Sequence, residues 1–299
     1  MDPRRRAILA LTAIAAAPRM NNANAVEPTT RAIPASGERL PVIGLGTWQT
    51  FDVRGDAAAR EPLREVLKLL SGNVIDSSPM YGSSETVAGD LIAELGLRDK
   101  LFIATKVWTR GRAEGIRQME TSFKRLRVDR MDLMQVHNLV DVATHAKTLQ
   151  EMKQAGKIRY IGVTSSTGSE YGDVERALKS WPWDFLQINY SLGERDSEKR
   201  LLPLAREKKV AVIVNRPFAE GALFSRVKGK PLPPWAKEYD INSWAQYFLK
   251  WIVSHPAVTC AIPGTGRPDH MRDNLVAGHG IVPDEKGRKR LAEYFDGLG

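Results

Sequence analysis

One rhythm limits what this chain can fold into. From residue 40 onward, eight short apolar runs rich in Val, Ile and Leu alternate with segments of helical period. The runs span residues 40–45, 73–76, 101–106, 131–137, 159–164, 185–189, 210–215 and 258–262. None has a polar face, so each suits a strand covered on both sides, as in a parallel sheet. The segments between them are amphipathic. Residues 61–70 place Leu63, Val66, Leu67 and Leu70 on one helical face, and 116–126 do the same with Ile116, Met119, Phe123 and Leu126. Residues 84–95 start with Ser84 as a cap, 145–155 follow Thr144 and stop at Gly156, and 198–207 and 243–254 follow the same logic. Eight strands with crossover helices in 299 residues predict an α/β fold, a (β/α)8 TIM barrel. A doubly wound sheet would want a third glycine after Gly44-Leu45-Gly46-Thr47-Trp48 and a helix directly behind it; neither is there. Residues 217–240, rich in Pro, Gly and aromatics, are expected to form a long mobile flap.

Residues 1–25 are of another kind. Arg4, Arg5 and Arg6 precede an apolar run from Ala7 to Ala17, and Ala23-Asn24-Ala25 offers a small-residue cleavage pattern. This is the layout of a secretory signal. The Arg5-Arg6 pair with Ile8-Leu9 behind it resembles a twin-arginine export signal, although Arg4 and Ala10 depart from the usual pattern. The expected organisation is a signal peptide over 1–25 and one barrel domain over 26–299, handed to export machinery and periplasmic, or cytoplasmic without the signal. The net charge of +9 loses four arginines and one aspartate with the signal, leaving a mild +6. The short basic stretches at 206–209 and 286–290 read as solvated helix faces, so no nucleic-acid partner is expected. The apolar run is too short for a stable membrane span. The single cysteine, Cys260, excludes a disulfide framework within the chain and reads as a buried strand residue.

In a barrel of this kind the site forms where strands end. The second run ends in Asp76, the third in Lys106 and the fourth in His137. The sixth carries Gln187 and Asn189, and the seventh ends at Asn215, followed by Arg216. Tyr81 lies five residues beyond Asp76, on a turn that can fold its phenol back over the mouth. A free tyrosine titrates near pH 10 and gives up its proton poorly at neutrality. An adjacent ammonium lowers that value by stabilising the phenolate, a carboxylate holds the ammonium, and a histidine can orient an oxygen. Such a group is a general acid aimed at a carbonyl, and a protonated carbonyl accepts hydride from a nicotinamide.

Over nearly all of residues 39–276 the chain resembles the aldo-keto reductases. The segment Val74-Ile75-Asp76-Ser77-Ser78-Pro79-Met80-Tyr81-Gly82-Ser83-Ser84-Glu85 is similar to that family's signature, Arg130-Met131-Asp132-Leu133-Met134-Gln135-Val136-His137 to its histidine strand, and Gly156-Lys157-Ile158-Arg159-Tyr160-Ile161-Gly162-Val163 to its approach to the fifth strand. The resemblance implies an NAD(P)H-dependent carbonyl reductase, monomeric and acting on a small carbonyl substrate. It makes Tyr81 the proton donor, Lys106 the depressor of its pKa, Asp76 the partner of Lys106, and His137 the group that orients substrate.

For the cofactor the resemblance implies Gly46, Thr47, Trp48, Asp76, Thr164, Ser165, Gln187, Asn215, Arg216 and Pro217 around the nicotinamide half. Gly264, Thr265, Arg267, His270, Arg272 and Asn274 would take the adenosine half. Ser165 stands where the family has an amide, and Asn215 where it has a stacking aromatic, so Arg216 is expected to reach the pyrophosphate or to cover the ring. Arg267 and Arg272, beside a helix start at Pro268, favour NADP(H) over NAD(H). Trp48, Trp108, His137 and Asn138 are the expected substrate wall, with Phe218 and Trp235 in the flap. Two other readings stand beside this one: a non-catalytic barrel subunit that binds nicotinamide nucleotide or senses redox state, and a metal-dependent hydrolase. The five histidines, at 137, 145, 255, 270 and 279, are not paired at ligand spacing on neighbouring strand ends, so no metal is expected.

Overall fold

The computed structural model describes residues 27–298. Eight parallel strands run in chain order around a ring: β3 (Leu45–Gly46), β4 (Val74–Asp76), β5 (Phe102–Val107), β6 (Met131–His137), β7 (Ile158–Thr164), β8 (Phe185–Asn189), β9 (Ala211–Asn215) and β10 (Val258–Ala261). Single parallel bridges from Ile43 to Ala261 and from Gly46 to Gly264 shut the ring. The fold is the (β/α)8 barrel. A second, antiparallel pair, β1 (Thr30–Ala32) and β2 (Arg39–Pro41), lies at the end where the strands begin. Ile33 and Leu40 of this hairpin are buried with Phe102, Leu133, Tyr160, Phe185 and Ile213 inside the barrel. Glu38 ties the plug down by pairing with Arg159 and accepting from the Tyr160 phenol at 2.6 Å.

Ten helices are described: α1 (Ala57–Lys68), α2 (Ser84–Glu94), α3 (Arg112–Leu126), α4 (Val142–Gln154), α5 (Tyr171–Ser180), α6 (Leu201–Glu207), α7 (Ala222–Arg226), α8 (Trp244–Val253), α9 (Pro268–Val276) and α10 (Glu285–Asp296). Their apolar stripes cover the outside of the barrel, as Leu63, Val66 and Leu67 of α1 illustrate. Pro268 occupies the first turn of α9, where its missing N–H costs nothing.

Three expectations need correction, and one helix lies where none is expected. The run 40–45 is not one strand: Leu40 and Pro41 pair in the hairpin, and only Leu45–Gly46 joins the barrel. Gly44 marks the break, because a Cβ there would lie 2.6 Å from the Val74 carbonyl oxygen. Ser84 does not cap α2; it is the first helical residue, buried, and its hydroxyl donates to the Thr47 carbonyl at 3.4 Å. Helix α5 had no counterpart in the sequence reading. Residues 217–240 are not a long flap: they fold into α7 and short 3-10 turns, and the Trp235 ring packs 5.7 Å from Tyr294 of α10 instead of over the mouth. The region assigned to a signal peptide lies outside the described residues.

Candidate active site

All the strand-end groups face one mouth because the strands are parallel. Asp76, last in β4, sits beside Ala104 of β5, and Lys106 lies one pleat further on the same side. The Lys106 Nζ therefore reaches back to donate to Asp76 Oδ2 at 2.5 Å and to the Ser77 carbonyl at 2.7 Å. Gln135 of β6 holds the other carboxylate oxygen at 3.2 Å. Both charged groups are buried, so their attraction acts with little screening.

Tyr81 comes to this pair through a pinned turn. Its N–H donates to the Ser78 carbonyl at 3.0 Å, and its own carbonyl accepts from Ser84 at 3.1 Å. Gly82 follows with φ of +60°, and a Cβ there would meet the Asp52 carboxylate at 2.2 Å. Asp52 Oδ1 in turn accepts from the Ser83 N–H at 2.8 Å and from its hydroxyl at 2.7 Å. The Lys106 Nζ ends 5.1 Å from the centre of the Tyr81 ring, and the His137 ring meets that ring edge-on at 5.9 Å. His137 Nδ1 lies 3.0 Å from the Ser78 hydroxyl.

Burial sets the protonation of this group more than charge does. Desolvation pushes the Tyr81 phenol above its ordinary value; Lys106 pulls it down and Asp76 pushes it up again. Sequence reasoning put the ammonium first, but its effect here partly offsets a larger one. Burial works against the Lys106 charge, yet Asp76 and Tyr81 together override it and hold the ammonium above the usual lysine range. His137 is pushed down to about 2 by burial and by the Lys106 charge, so its imidazole is neutral.

Above these residues opens a cavity of about 650 Å³. Its wall holds Asp76, Tyr81 and His137, and also Gly46, Thr47, Trp48, Asn138, Thr164, Gln187, Asn215, Arg216, Pro217 and Gly264. Residues at or just beyond seven of the eight barrel strands thus share one space. Gln187 is buried at its base with both amide atoms, Oε1 and Nε2, unpartnered.

The sequence pattern of the Aldo/keto reductase family matches residues 42–289. The chain belongs to the aldo/keto reductase family. It is 33% identical to Aldo-keto reductase YhdN of Bacillus subtilis (strain 168), over 80% of this chain and 85% of that protein. It is 30% identical to Methylglyoxal reductase YeaE of Escherichia coli (strain K12), over 79% and 84% respectively. Among solved structures, the aldo/keto reductase from Klebsiella pneumoniae in complex with NADP and acetate has a TM-score of 0.70 at 28% identity, over 87% of this chain and 93% of that one.

Several expected residues of this aldo/keto reductase stand apart from the cavity. Ser165 is fully buried and turned away, donating to Glu170 Oε2 at 2.6 Å; its neighbour Ser166 lines the wall instead. Trp108 lies at the rim, 42% exposed, its ring 6.5 Å from that of His137. Thr265 precedes α9, Arg267 is its N-cap, and His270, Arg272 and the buried Asn274 lie along it, all outside the cavity wall. Arg267 is paired there with Asp269 at 2.5 Å. Arg216 donates to the Ser166 carbonyl at 2.8 Å and faces Glu220 at 3.3 Å. Sequence reading missed Gln49, Thr50, Met80, Glu220 and Phe224 of the wall. Gln49 and Glu220 have φ of 59° and 55°, a conformation that no local sequence signal announced. Among the described residues, no three His, Cys, Asp or Glu side chains group closely enough to hold a metal ion.

Proposed function

We propose that this chain reduces an aldehyde or ketone to the alcohol with NAD(P)H, and that Tyr81 supplies the proton. The observation that carries this reading is the meeting of Asp76, Tyr81, Lys106 and His137 at the floor of a cavity whose wall also presents the unpartnered Gln187 amide. A buried amide with a free donor and a free acceptor matches a carboxamide, which offers one of each. Gln187, Asn138 and Thr164 would hold that end of the cofactor, and the start of α9 with Arg267 and Arg272 the adenosine phosphate. Relatives crystallised with NADP or NADPH support the cofactor class.

When bound, the nicotinamide supplies the hydride. The chain supplies the rest. With Ser78 donating to Nδ1, the neutral His137 keeps its proton on Nε2 and presents it to a carbonyl oxygen. The Tyr81 phenol, kept protonated by burial, donates to the same oxygen. The Lys106 ammonium, fixed by Asp76 and the Ser77 carbonyl, stabilises the phenolate as it forms, in a place where water screens little. Trp48, Met80 and Phe224 surround the opening with apolar surface that receives the substrate's side group.

We further infer a preference for NADP(H), from Arg267 and Arg272; a monomer; and export by a signal over 1–25, from Arg5-Arg6, the apolar run and Ala23-Asn24-Ala25, leaving the barrel domain 26–299. The test is NADPH oxidation against a panel of aldehydes, with NADH in parallel, for the parent and for Tyr81→Phe. Turnover is expected to vanish in the variant while NADPH still binds. A parent that binds NADPH and reduces nothing is the sensing subunit instead. Sequencing the N-terminus of protein from each cell fraction tests the export reading; an uncut, cytoplasmic chain ends it.

A further inference from the structure

Residues 108–111, the loop from β5 to α3, are held by side chains from two helical regions. Gln118 of α3 faces the loop with its amide. Its Oε1 accepts from the Trp108 N–H at 2.6 Å, and its Nε2 donates to the Trp108 carbonyl at 3.1 Å. One primary amide thus satisfies both backbone groups of a single residue. His145 of α4 places Nε2 2.7 Å from the Thr109 carbonyl oxygen, and Asp141 Oδ2 accepts from the Gly111 N–H at 2.8 Å. Asp141 belongs to the left-handed stretch, with Asn138 at φ 48° and Leu139 at φ 57°, that brings Asn138 to the cavity. The loop is therefore fastened both to its own helix and to the neighbouring strand end.

This matters because of what the loop carries. The Trp108 indole is 42% exposed, so packing alone does little to fix it. Its position at the rim, edge-on to His137 with the rings 6.5 Å apart, follows from where its backbone is held. We infer that Gln118 is a specificity-determining positioning residue, whose amide fixes the Trp108 backbone so that the indole walls the outer part of the carbonyl pocket. The inference rests on the reductase reading and concerns which carbonyls are accepted, not how the proton moves. A fixed indole favours flat aryl carbonyls, which stack on it, over short aliphatic ones, which do not reach it.

The test measures kcat/KM for 2-naphthaldehyde and for propanal with NADPH, and takes their ratio, in the parent, Gln118→Ala, Trp108→Ala and the double variant. Arg117→Ala, on the exposed side of the same helix, controls for general disturbance of α3. The ratio is expected to fall about tenfold in Gln118→Ala, the scale on which a misplaced pocket wall loses discrimination. It should fall similarly in Trp108→Ala and no further in the double variant, because both changes remove one wall. The Arg117→Ala ratio should match the parent. Equal losses on both aldehydes in Gln118→Ala would mean a merely structural role and overturn the inference. So would a ratio changed in Trp108→Ala but not in Gln118→Ala. A ratio unchanged in both removes Trp108 from the pocket, and the inference with it. A parent inactive on both aldehydes fails at the earlier step, the reductase reading itself.

Discussion

Replacing Lys106 by methionine isolates the charge that stands beside the Tyr81 phenol. The ammonium is 5.1 Å from the ring centre. A fully developed phenolate at that distance gains about 3 kcal/mol at an effective dielectric near 20. Losing it slows proton donation roughly 200-fold. The same change strands the buried Asp76 carboxylate, and breaking a buried pair costs about 3–5 kcal/mol of stability. A slow enzyme could then be a partly unfolded one. The double variant Asp76→Asn with Lys106→Met removes the stranded charge, so its urea midpoint is expected to recover toward the parent while its rate does not. The assay is single-turnover reduction of an aldehyde at saturating NADPH, with unfolding followed on the same samples. A double variant that turns over within tenfold of the parent would refute the argument that this ammonium stabilises the phenolate.

Two further predictions follow from the same geometry. Because His137 is held down to about 2 when folded, against about 6.5 unfolded, the unfolded chain binds the extra proton first on acidification. Its contribution to stability is complete above pH 6.5 and is lost as pH falls below it, at about 1.4 kcal/mol per pH unit. His137→Asn should flatten the acid side of the melting-temperature profile, and an unchanged slope contradicts a neutral buried imidazole. Gly82→Ala forces an L-residue into a left-handed backbone against Asp52, at a cost of about 1–2 kcal/mol for the backbone alone. It should lower kcat more than NADPH affinity, because the turn carries Tyr81; equal losses in both would mean that Asp52 does not position the phenol.

Much of this architecture was legible in advance, for a physical reason. A strand buried on both faces leaves a bounded apolar run, and residues 131–137 and 185–189 match β6 and β8. Where such a run touches two partners the pattern fails. Residues 40–45 are apolar throughout, yet Pro41 ends a hairpin strand and Leu45 begins a barrel strand, and only the tertiary contact at Gly44 separates them. Helix α5 carried a readable spacing in Val174, Ala177 and Leu178, but its first residue follows a short 3-10 turn without a side-chain cap. In the site, Asp76, Lys106 and His137 could be read because strand ends of a parallel barrel converge. Ser165 could not be told from Ser166, because past the last register pair, Thr164 and Gln187, each residue's direction depends on the turn and not on alternation. Gln118 gave no signal at all: an amide that grips a neighbouring backbone is, in sequence, one more polar residue on a solvated helix.

The ring is shut by two lone bridges, Ile43 to Ala261 and Gly46 to Gly264, and Gly46 and Gly264 both border the cavity. The seam joins near-opposite ends of the described chain, so a ribosome must release almost the whole polypeptide before the last stitch can form. Until then the open edges of β3 and β10 are exposed to other chains. Gly46 and Gly264 are both expected cofactor residues, so a dinucleotide that binds only the closed ring would stabilise the seam by mass action.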